Sequence, residues 1–317
     1  MKRTILLVVL IVIFIFGTVY AQVGKIFRGN VAGPEPCTIL ENQPINYFPI
    51  ISTLAFMIDS TGDGYLSDNL GLKNRIIAVS NVGCGFWKGV QSAFSITGHV
   101  FTIFSHVDDL NQPTHFFRAG ASEGVWRTAK DGSSNVQINN NPAIGQGGSG
   151  FDKIRDRFVV ANPGAALIHS MDRAGGNLET WVGSLLAATC AGVAVFDTGQ
   201  YVLAKEDIPG NGTVRLYSGW MGALIQSQTF VGTGGSVIIT VSLDNVNNEA
   251  FISDSGRLFR WVISTNIITM YVGGPAGKGP NSYYGGYIYG KPLALSAWRY
   301  SRDGTIIQTW NGSQWIH

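Results

Sequence analysis

Carboxylate and amide side chains at recurring places are the first chemistry this chain offers. Asp68, Asn162, Asp207 and Asp254 each close a short apolar segment in corresponding stretches of sequence. Side-chain oxygens of this kind are what Ca²⁺ gathers in groups of six to eight. Asp59, Asp152, Asp197, Asp244 and Asp303 recur at a second place, a turn that follows an apolar strand. There the expected role is local, because an Asp side chain accepts nearby backbone N–H groups and fixes the turn. Asp68 with Arg75, and Asp254 with Arg257, read as clasps across hairpins. The histidines are His99, His106, His115, His169 and His317, and they follow no zinc-binding pattern. His106 and His115 flank one loop and form a loose candidate set with Asp108, whereas His169 sits in a strand and reads as structural. No Gly-x-Ser-x-Gly, no phosphate loop leading into a helix and no Cys/His pair at a recognised spacing occurs. Tyr283, Tyr284, Tyr287 and Tyr289 cluster in a Gly-rich stretch, Gly273 to Gly290, read as a loop. Such rings are rigid contact groups suited to a protein or glycan ligand. They could equally pack down on the edge of a sheet.

These residues have to be positioned by something, and a repeat runs through the chain. Ala55 to Asn81 holds an apolar strand, an Asp turn, a strand ending Ser-Asp, a loop and an Arg-Ile strand; Ser242 to Gly274 follows the same plan. Phe151 to Gly183 and Val195 to Gly232 do too, Phe94 to Gly120 is looser, and Trp298 to His317 is truncated. Middle strands starting near Tyr65, Phe101, Phe158, Tyr201, Phe251 and Ile306 give a period of about 48 residues, in the range of propeller repeats. Each segment is short, β-branched or aromatic, and bounded by Gly, Asp or Asn, which is strand-and-turn grammar. One four-stranded sheet cannot bury both faces alone, but a radial set can, leaving short protected edges. The predicted fold is therefore all-β, a six-bladed β-propeller of four-stranded antiparallel blades. The final unit lacks an outermost strand, and Val23 to Gly29 is a suitable one. The N-terminal strand is expected to complete the last blade and close the ring, so deleting 22–29 should lower the melting temperature by many degrees.

Composition agrees with this. The chain has 317 residues, 45% hydrophobic and only 13% charged, which excludes a disordered class. Lys2 and Arg3 precede an apolar run from Ile5 to Phe16, and Val19-Tyr20-Ala21 supplies small residues before a cleavage point. Residues 1–21 are read as a signal peptide and 22–317 as a single domain. The run is shorter than a membrane span needs, so a cleaved, secreted product is expected, free of the membrane. The formal charge is +2, and Lys2 and Arg3 account for all of it. A neutral mature chain gives a nucleic acid little to hold. Cys37, Cys84 and Cys190 match no metal or redox motif; Cys37 and Cys84 either pair, or all three are buried thiols.

Asp59-Ser-Thr-Gly-Asp63-Gly-Tyr65-Leu-Ser-Asp68-Asn69, with Asn74-Arg75-Ile76 beyond it, resembles an NHL repeat, as does Phe251-Ile-Ser-Asp254-Ser-Gly256-Arg257-Leu258. The stretch Gly273 to Gly286 resembles the glycine-rich inter-blade loop of that family. The resemblance covers the mature chain as a pattern, and it implies a scaffold rather than a reaction. In a propeller the loops after the second strands open on the face where ligands sit. That face is expected to carry Asp68, Asp108, Asp109, Asn162, Glu206, Asp207 and Asp254. The functional expectation is a monomeric, secreted recognition scaffold for a protein, peptide or glycan, with the four tyrosines as ligand contacts and no cofactor. The alternative is a Ca- or Zn-dependent propeller enzyme of lactonase, esterase or amidating-lyase type, holding its metal at Asp68, Asn162, Asp207 and Asp254.

Overall fold

The computed structural model describes residues 26–29, 37–40, 55–68, 75–79, 90–95, 103–120, 124–145, 147–162, 166–182, 190–207, 210–232, 239–254, 256–273, 281–290, 298–310 and 315–317. The expected signal segment 1–21, Cys84 and His99 lie outside the described residues, so the possible Cys37–Cys84 pairing does too. Every described element is a strand. Among the described residues no helix is long and apolar enough to cross a membrane.

Five antiparallel four-stranded sheets follow one another over 56–95, 103–139, 149–182, 190–231 and 240–270, and a further sheet over 281–316 has five strands. They are numbered first to sixth here in chain order. Within each sheet the strands pair in sequence order, so each is a meander of hairpins. The first strands are neighbours in space. Phe56–Ile58 lies beside Ile103–Asp108, and Ser149–Asp152, Cys190–Val195, Thr240–Asp244 and Asn281–Tyr284 follow in turn. Asn281–Tyr284 in its turn lies beside Phe56–Ile58.

The core sits between neighbouring sheets. Val202, Ala204, Val214 and Leu216 of the fourth sheet pack on Ala250, Ile252, Phe259 and Trp261 of the fifth. Similar clusters join the second sheet to the third around Phe117, Phe151 and Phe158, and the fifth to the sixth around Phe251, Trp298 and Tyr300. This explains why second strands read as unbroken apolar runs. In Arg157–Asn162 and Glu249–Ser253 almost every residue is buried, because both faces of the sheet are covered. The outermost strands alternate or face solvent, as in Leu224–Val231 and Ile267–Met270. Close approach of first strands needs glycine at Gly192, where a Cβ would stand 2.5 Å from the Ile239 carbonyl oxygen.

The middle strands expected from Tyr65, Phe158, Tyr201 and Phe251 are second strands of their sheets. Two units differ. In the second sheet the second strand is His115–Gly120, and the stretch after Phe101 forms the first strand instead. In the sixth, Ile307–Trp310 is the fourth strand, and the sheet begins with the tyrosine-rich hairpin Asn281–Tyr284/Tyr287–Gly290. That stretch is no loop. Gly285 and Gly286 have φ of 57° and 84°, a two-residue turn of the kind that suits a tight hairpin, and tyrosine is a good strand former. Asp303 accordingly sits in the turn between the third and fourth strands. It accepts the Thr305 N–H at 3.0 Å, the same turn chemistry at a different place. The sixth sheet gains its fifth strand from Trp315–Ile316, whereas Ile26–Gly29 pairs with Cys37–Leu40 in a separate hairpin. The chain's own C-terminus thus takes the outer edge expected for the N-terminal strand.

Candidate functional site: the cavity among the first strands

Antiparallel pairing puts the turn after each first strand at one end of the sheets and the start of that strand at the other. The two ends differ in chemistry. At the turn end Asp59, Asp152 and Asp244 act as the sequence predicts and also tie sheets together, whereas Asp197 donates its backbone N–H to Asn245 Oδ1 at 2.8 Å and its carboxylate lies 4.0 Å from Lys153. Asp59 accepts the Thr61 and Asp63 N–H groups at 2.9 and 3.0 Å, and its other oxygen lies 2.7 Å from Lys130 Nζ of the second sheet. Lys130 also lies 2.8 Å from Asp108. Burial pushes the Asp108 carboxyl above the ordinary range, and Lys130 opposes that shift. Asp109 is fully buried, accepts the Gln112 N–H at 2.9 Å and pairs with Arg173 of the third sheet at 3.1 Å. Asp152 accepts the Arg155 N–H at 2.9 Å and the Tyr201 hydroxyl of the fourth sheet. Asp244 caps its own turn through Val246 and Asn247, and Tyr283 of the sixth sheet donates to it. Asp108 and Asp109 therefore stand at this end, away from the connections after the second strands where they were expected.

The four tyrosines belong to the same end, and Tyr283 and Tyr284 fill seams between sheets. Tyr283 stacks on Phe251 of the fifth sheet, centroids 5.1 Å apart. Tyr284 covers Gly62 of the first sheet, and its hydroxyl reaches the Thr61 carbonyl at 3.4 Å. Tyr289 is buried, and Arg299 lies over the Tyr287 ring at 4.4 Å.

Of the four expected oxygen ligands, Asp68 and Asp207 end second strands opposite Arg75 and Asn211; their side chains lie outside the described atoms. Asn162 is buried and donates through Nδ2 to the Ala143 carbonyl. Asp254 is buried and accepts the Gly256 and Arg257 N–H groups at 3.0 and 2.6 Å. The Arg257 guanidinium goes to the Val231 and Gly232 carbonyls. Among the described residues no three His, Cys, Asp or Glu side chains gather as a metal site would require. His169 is buried and its Nδ1 lies 3.2 Å from the Thr180 hydroxyl, as fits a structural histidine. His115 contacts the neighbouring Thr114 hydroxyl at 2.9 Å. His106 points elsewhere, so His106, His115 and Asp108 do not form one site.

Toward the starting ends of the first strands, small polar side chains converge. A cavity of about 30 Å³, room for one or two water-sized groups, is lined by Phe56, Ser105, His106, Ser149, Thr240 and Asn281 with nearby backbone. Five of the six sheets contribute, and among the described residues no Asp, Glu, Lys or Arg lines it. The walls are mutually braced. Asn281 donates to the Thr240 hydroxyl through its backbone N and Nδ2 at 3.1 and 3.2 Å, and accepts from the Ser242 hydroxyl. Ser105 donates to the Gly147 carbonyl at 3.3 Å.

Two of the lining residues each carry a polar atom, His106 Nε2 and Ser149 Oγ, that is fully buried without a hydrogen-bond partner. The His106 Nδ1 lies 3.4 Å from the Tyr65 carbonyl, which can only accept. The ring proton therefore sits on Nδ1 and leaves Nε2 as a bare acceptor. Burial, reinforced by the Arg118 guanidinium directly across the strand pair, lowers the His106 pKa to about 3, so the ring is neutral at physiological pH. Sequence reading missed Ser105, Ser149, Thr240 and Asn281. Single polar residues in apolar strands form no motif, and only their recurrence near strand starts hints at them.

No protein-family model matches this chain, and no curated protein sequence matches it. Solved structures do. A streptogramin B lyase is 12% identical over 83% of this chain and 84% of its own, with a TM-score of 0.56. A chain of a nidogen/laminin complex is 10% identical over 84% of this chain and 95% of its own, TM-score 0.55. Virginiamycin B lyase from Staphylococcus aureus with quinupristin is 12% identical over 85% of each chain, TM-score 0.55. At such identities the likeness is one of fold, and it agrees with the sheets described above: this chain is an all-β β-propeller with blades of four antiparallel strands.

Proposed function

We propose that the protein is a secreted, monomeric recognition scaffold, an NHL-like propeller of six blades whose ring closes where the first and sixth sheets meet. It binds a protein, peptide or glycan at the end of the central channel where the first strands begin. One observation carries this reading: residues with uncharged hydrogen-bonding side chains from four sheets, with Phe56 of a fifth, line one cavity. The turn end, by contrast, uses its charges in seams between sheets, as Lys130 does with Asp59 and Asp108. A chain of a nidogen/laminin complex shares the fold, which is compatible with such a role.

The competing reading is a Ca- or Zn-dependent enzyme. It is less well supported because Asn162 Nδ2 and Asp254 Oδ1 are engaged by backbone groups, as fits a structural role. Arrays of peptides, glycans and extracellular proteins test the proposal. Saturable binding weakened by Ser149→Ala supports it. Absence of binding, together with a thermal shift on adding Ca²⁺ or Zn²⁺ that EDTA reverses, would replace it with the enzyme reading. A product in the culture medium whose first residue is Gln22 would establish export.

A further inference from the structure

Away from the channel, the fourth sheet carries an outer edge unlike those of its neighbours. Leu224–Val231 is eight residues long and ends its sheet, and among the described residues no strand pairs with its outer side. It holds no charged residue and no proline. Sheet edges are ordinarily kept from pairing by shortness, charge, a bulge or a cover. The neighbours follow that rule. In the second sheet Asn135–Asn139 is bulged, and Asn139 reaches the Gly175 carbonyl of the third at 3.3 Å. In the third, Glu179–Val182 has four residues, and Glu179 pairs with Arg155 and Arg157. In the fifth, Ile267–Met270 has four residues. The bulge in Leu224–Val231 lies at its start, and the ladder is regular from Gln226 onward.

The direction of the backbone groups follows from one bond. Gly232 N–H donates to the Gly210 carbonyl at 2.8 Å, one step beyond the Val231–Asn211 pair. Bonded and non-bonded pairs alternate along an antiparallel ladder. Phe230, Gln228 and Gln226 therefore bond inward, and Ser227, Thr229 and Val231 turn both N–H and C=O outward. The Val231 carbonyl agrees with this phase, because the Arg257 guanidinium of the fifth sheet takes it from outside. Ser227 and Thr229 are exposed, so their main-chain donors and acceptors stand in a row at the solvent.

Another extended backbone matches such a row. The sixth sheet already accepts one, since Trp315–Ile316 pairs as a fifth strand outside Ile307–Trp310. A second copy of the fourth-sheet edge fits poorly. A two-fold axis would set its bulged end against Val231, whose carbonyl Arg257 holds. Leu224, Ile225 and Val231 are 52%, 46% and 66% exposed, so the side chains flanking the row are apolar. A charged segment would find no opposite charge within the strand, and an uncharged, β-branched one would find contacts on alternate residues.

We propose that the outer edge of Leu224–Val231 takes an extended, uncharged segment of a partner protein as a fifth strand of the fourth sheet, bonded to Ser227 and Thr229. The probe is a fluorescent decapeptide of alternating threonine and valine, with an N-methylated copy as control. Its anisotropy is read against the purified full chain as wild type, Ser227→Pro and Thr229→Lys. Proline is tolerated on an edge where the N–H faces solvent, so Ser227→Pro removes an outward donor without breaking the ladder.

Saturable binding is expected, with slowed amide exchange at Ser227 and Thr229 and a loss of about tenfold or more in Ser227→Pro. The N-methylated peptide should not bind. Melting curves show whether Ser227→Pro folds; if it does not, Thr229→Lys, which leaves the backbone intact and charges the edge, should weaken binding and decides the matter. No binding, equal binding in the variants, or binding that survives N-methylation overturns the proposal. Concentration-dependent dimers that Ser227→Pro abolishes, with no peptide bound, would put a second copy on the edge and overturn it as well.

Discussion

Lys130 is the cation between two buried carboxylates, and its removal gives a quantitative test of the turn-end clasp. Its Nζ lies 2.7 Å from Asp59 Oδ2 and 2.8 Å from Asp108 Oδ1, with side-chain exposures of 12%, 2% and 7% for the three residues. Lys130→Met keeps the stem and removes the charge. The two oxygens can then be no farther apart than about 5.5 Å, a repulsion of about 3 kcal/mol at an effective dielectric of about 20. Breaking a buried pair by removing one partner costs about 3–5 kcal/mol in general, so the two routes agree. At this chain length that corresponds to a fall in Tm of roughly 5–10 °C.

The pH dependence has a definite sign. Asp108 is already held above its ordinary pKa by burial, and Lys130 is the main force pulling it back. In the variant it rises further, so the folded state binds a proton more readily than the unfolded chain. Stability is then lost as pH rises through the folded-state pKa and recovered as pH falls below it. Urea denaturation from pH 4 to 8 should show the deficit at neutral pH and its shrinkage toward acid. Lys130→Met with Asp108→Asn should restore most of the loss at pH 7. A deficit under about 1 kcal/mol, well below the buried-pair range, would refute the reasoning, as would one that ignores pH or a double variant no better than the single.

Three further outcomes follow from the packing. Gly192→Ala drives a Cβ to 2.5 Å from the Ile239 carbonyl oxygen, which is backbone and cannot rotate away; calorimetry should show a loss of about 1–3 kcal/mol, as overpacking does. Trp261→Ala empties a fully buried site between the fourth and fifth sheets and removes the hydrogen bond from Nε1 to Asn266 at 3.1 Å. A loss of about 3–5 kcal/mol is expected in urea unfolding, and a near-neutral result would deny that the core lies in that seam. Deleting 22–29 removes a strand of the Ile26–Gly29/Cys37–Leu40 hairpin and no strand of the six sheets, whereas deleting 307–317 strips two strands from the sixth sheet. The second deletion should lower Tm more; the reverse order would return the N-terminal strand to the sixth sheet.

The sixth sheet illustrates where local reading stops. Ser301 to Thr305 carries an Asp turn like those after the first strands, and Asp303 does cap it. An Asp turn serves any hairpin of a meander equally well, so turn chemistry cannot say which strand of the sheet it follows. The second sheet slipped by one strand because the apolar stretch after Phe101 reads equally well as a first or a second strand. Gly285-Gly286 looked like loop composition because glycine is permissive, yet the same permissiveness makes the tight hairpin that puts Tyr283 and Tyr284 against sheets on either side.

Sequence by itself determined the strand grammar, the propeller class and the capping role of Asp59, Asp152 and Asp244, because each depends on contacts within a few residues. Tertiary structure alone decided which charges meet across seams and which polar groups share a cavity. Asn281 braces Thr240, His106 turns toward the Tyr65 carbonyl, and Ser149 faces the same space from a third sheet. Those partners are some forty residues or more apart, and only the arrangement of the first strands about one centre brings them together. The cavity is made by neighbouring sheets and not by any one repeat, which is why no single stretch of the chain announces it.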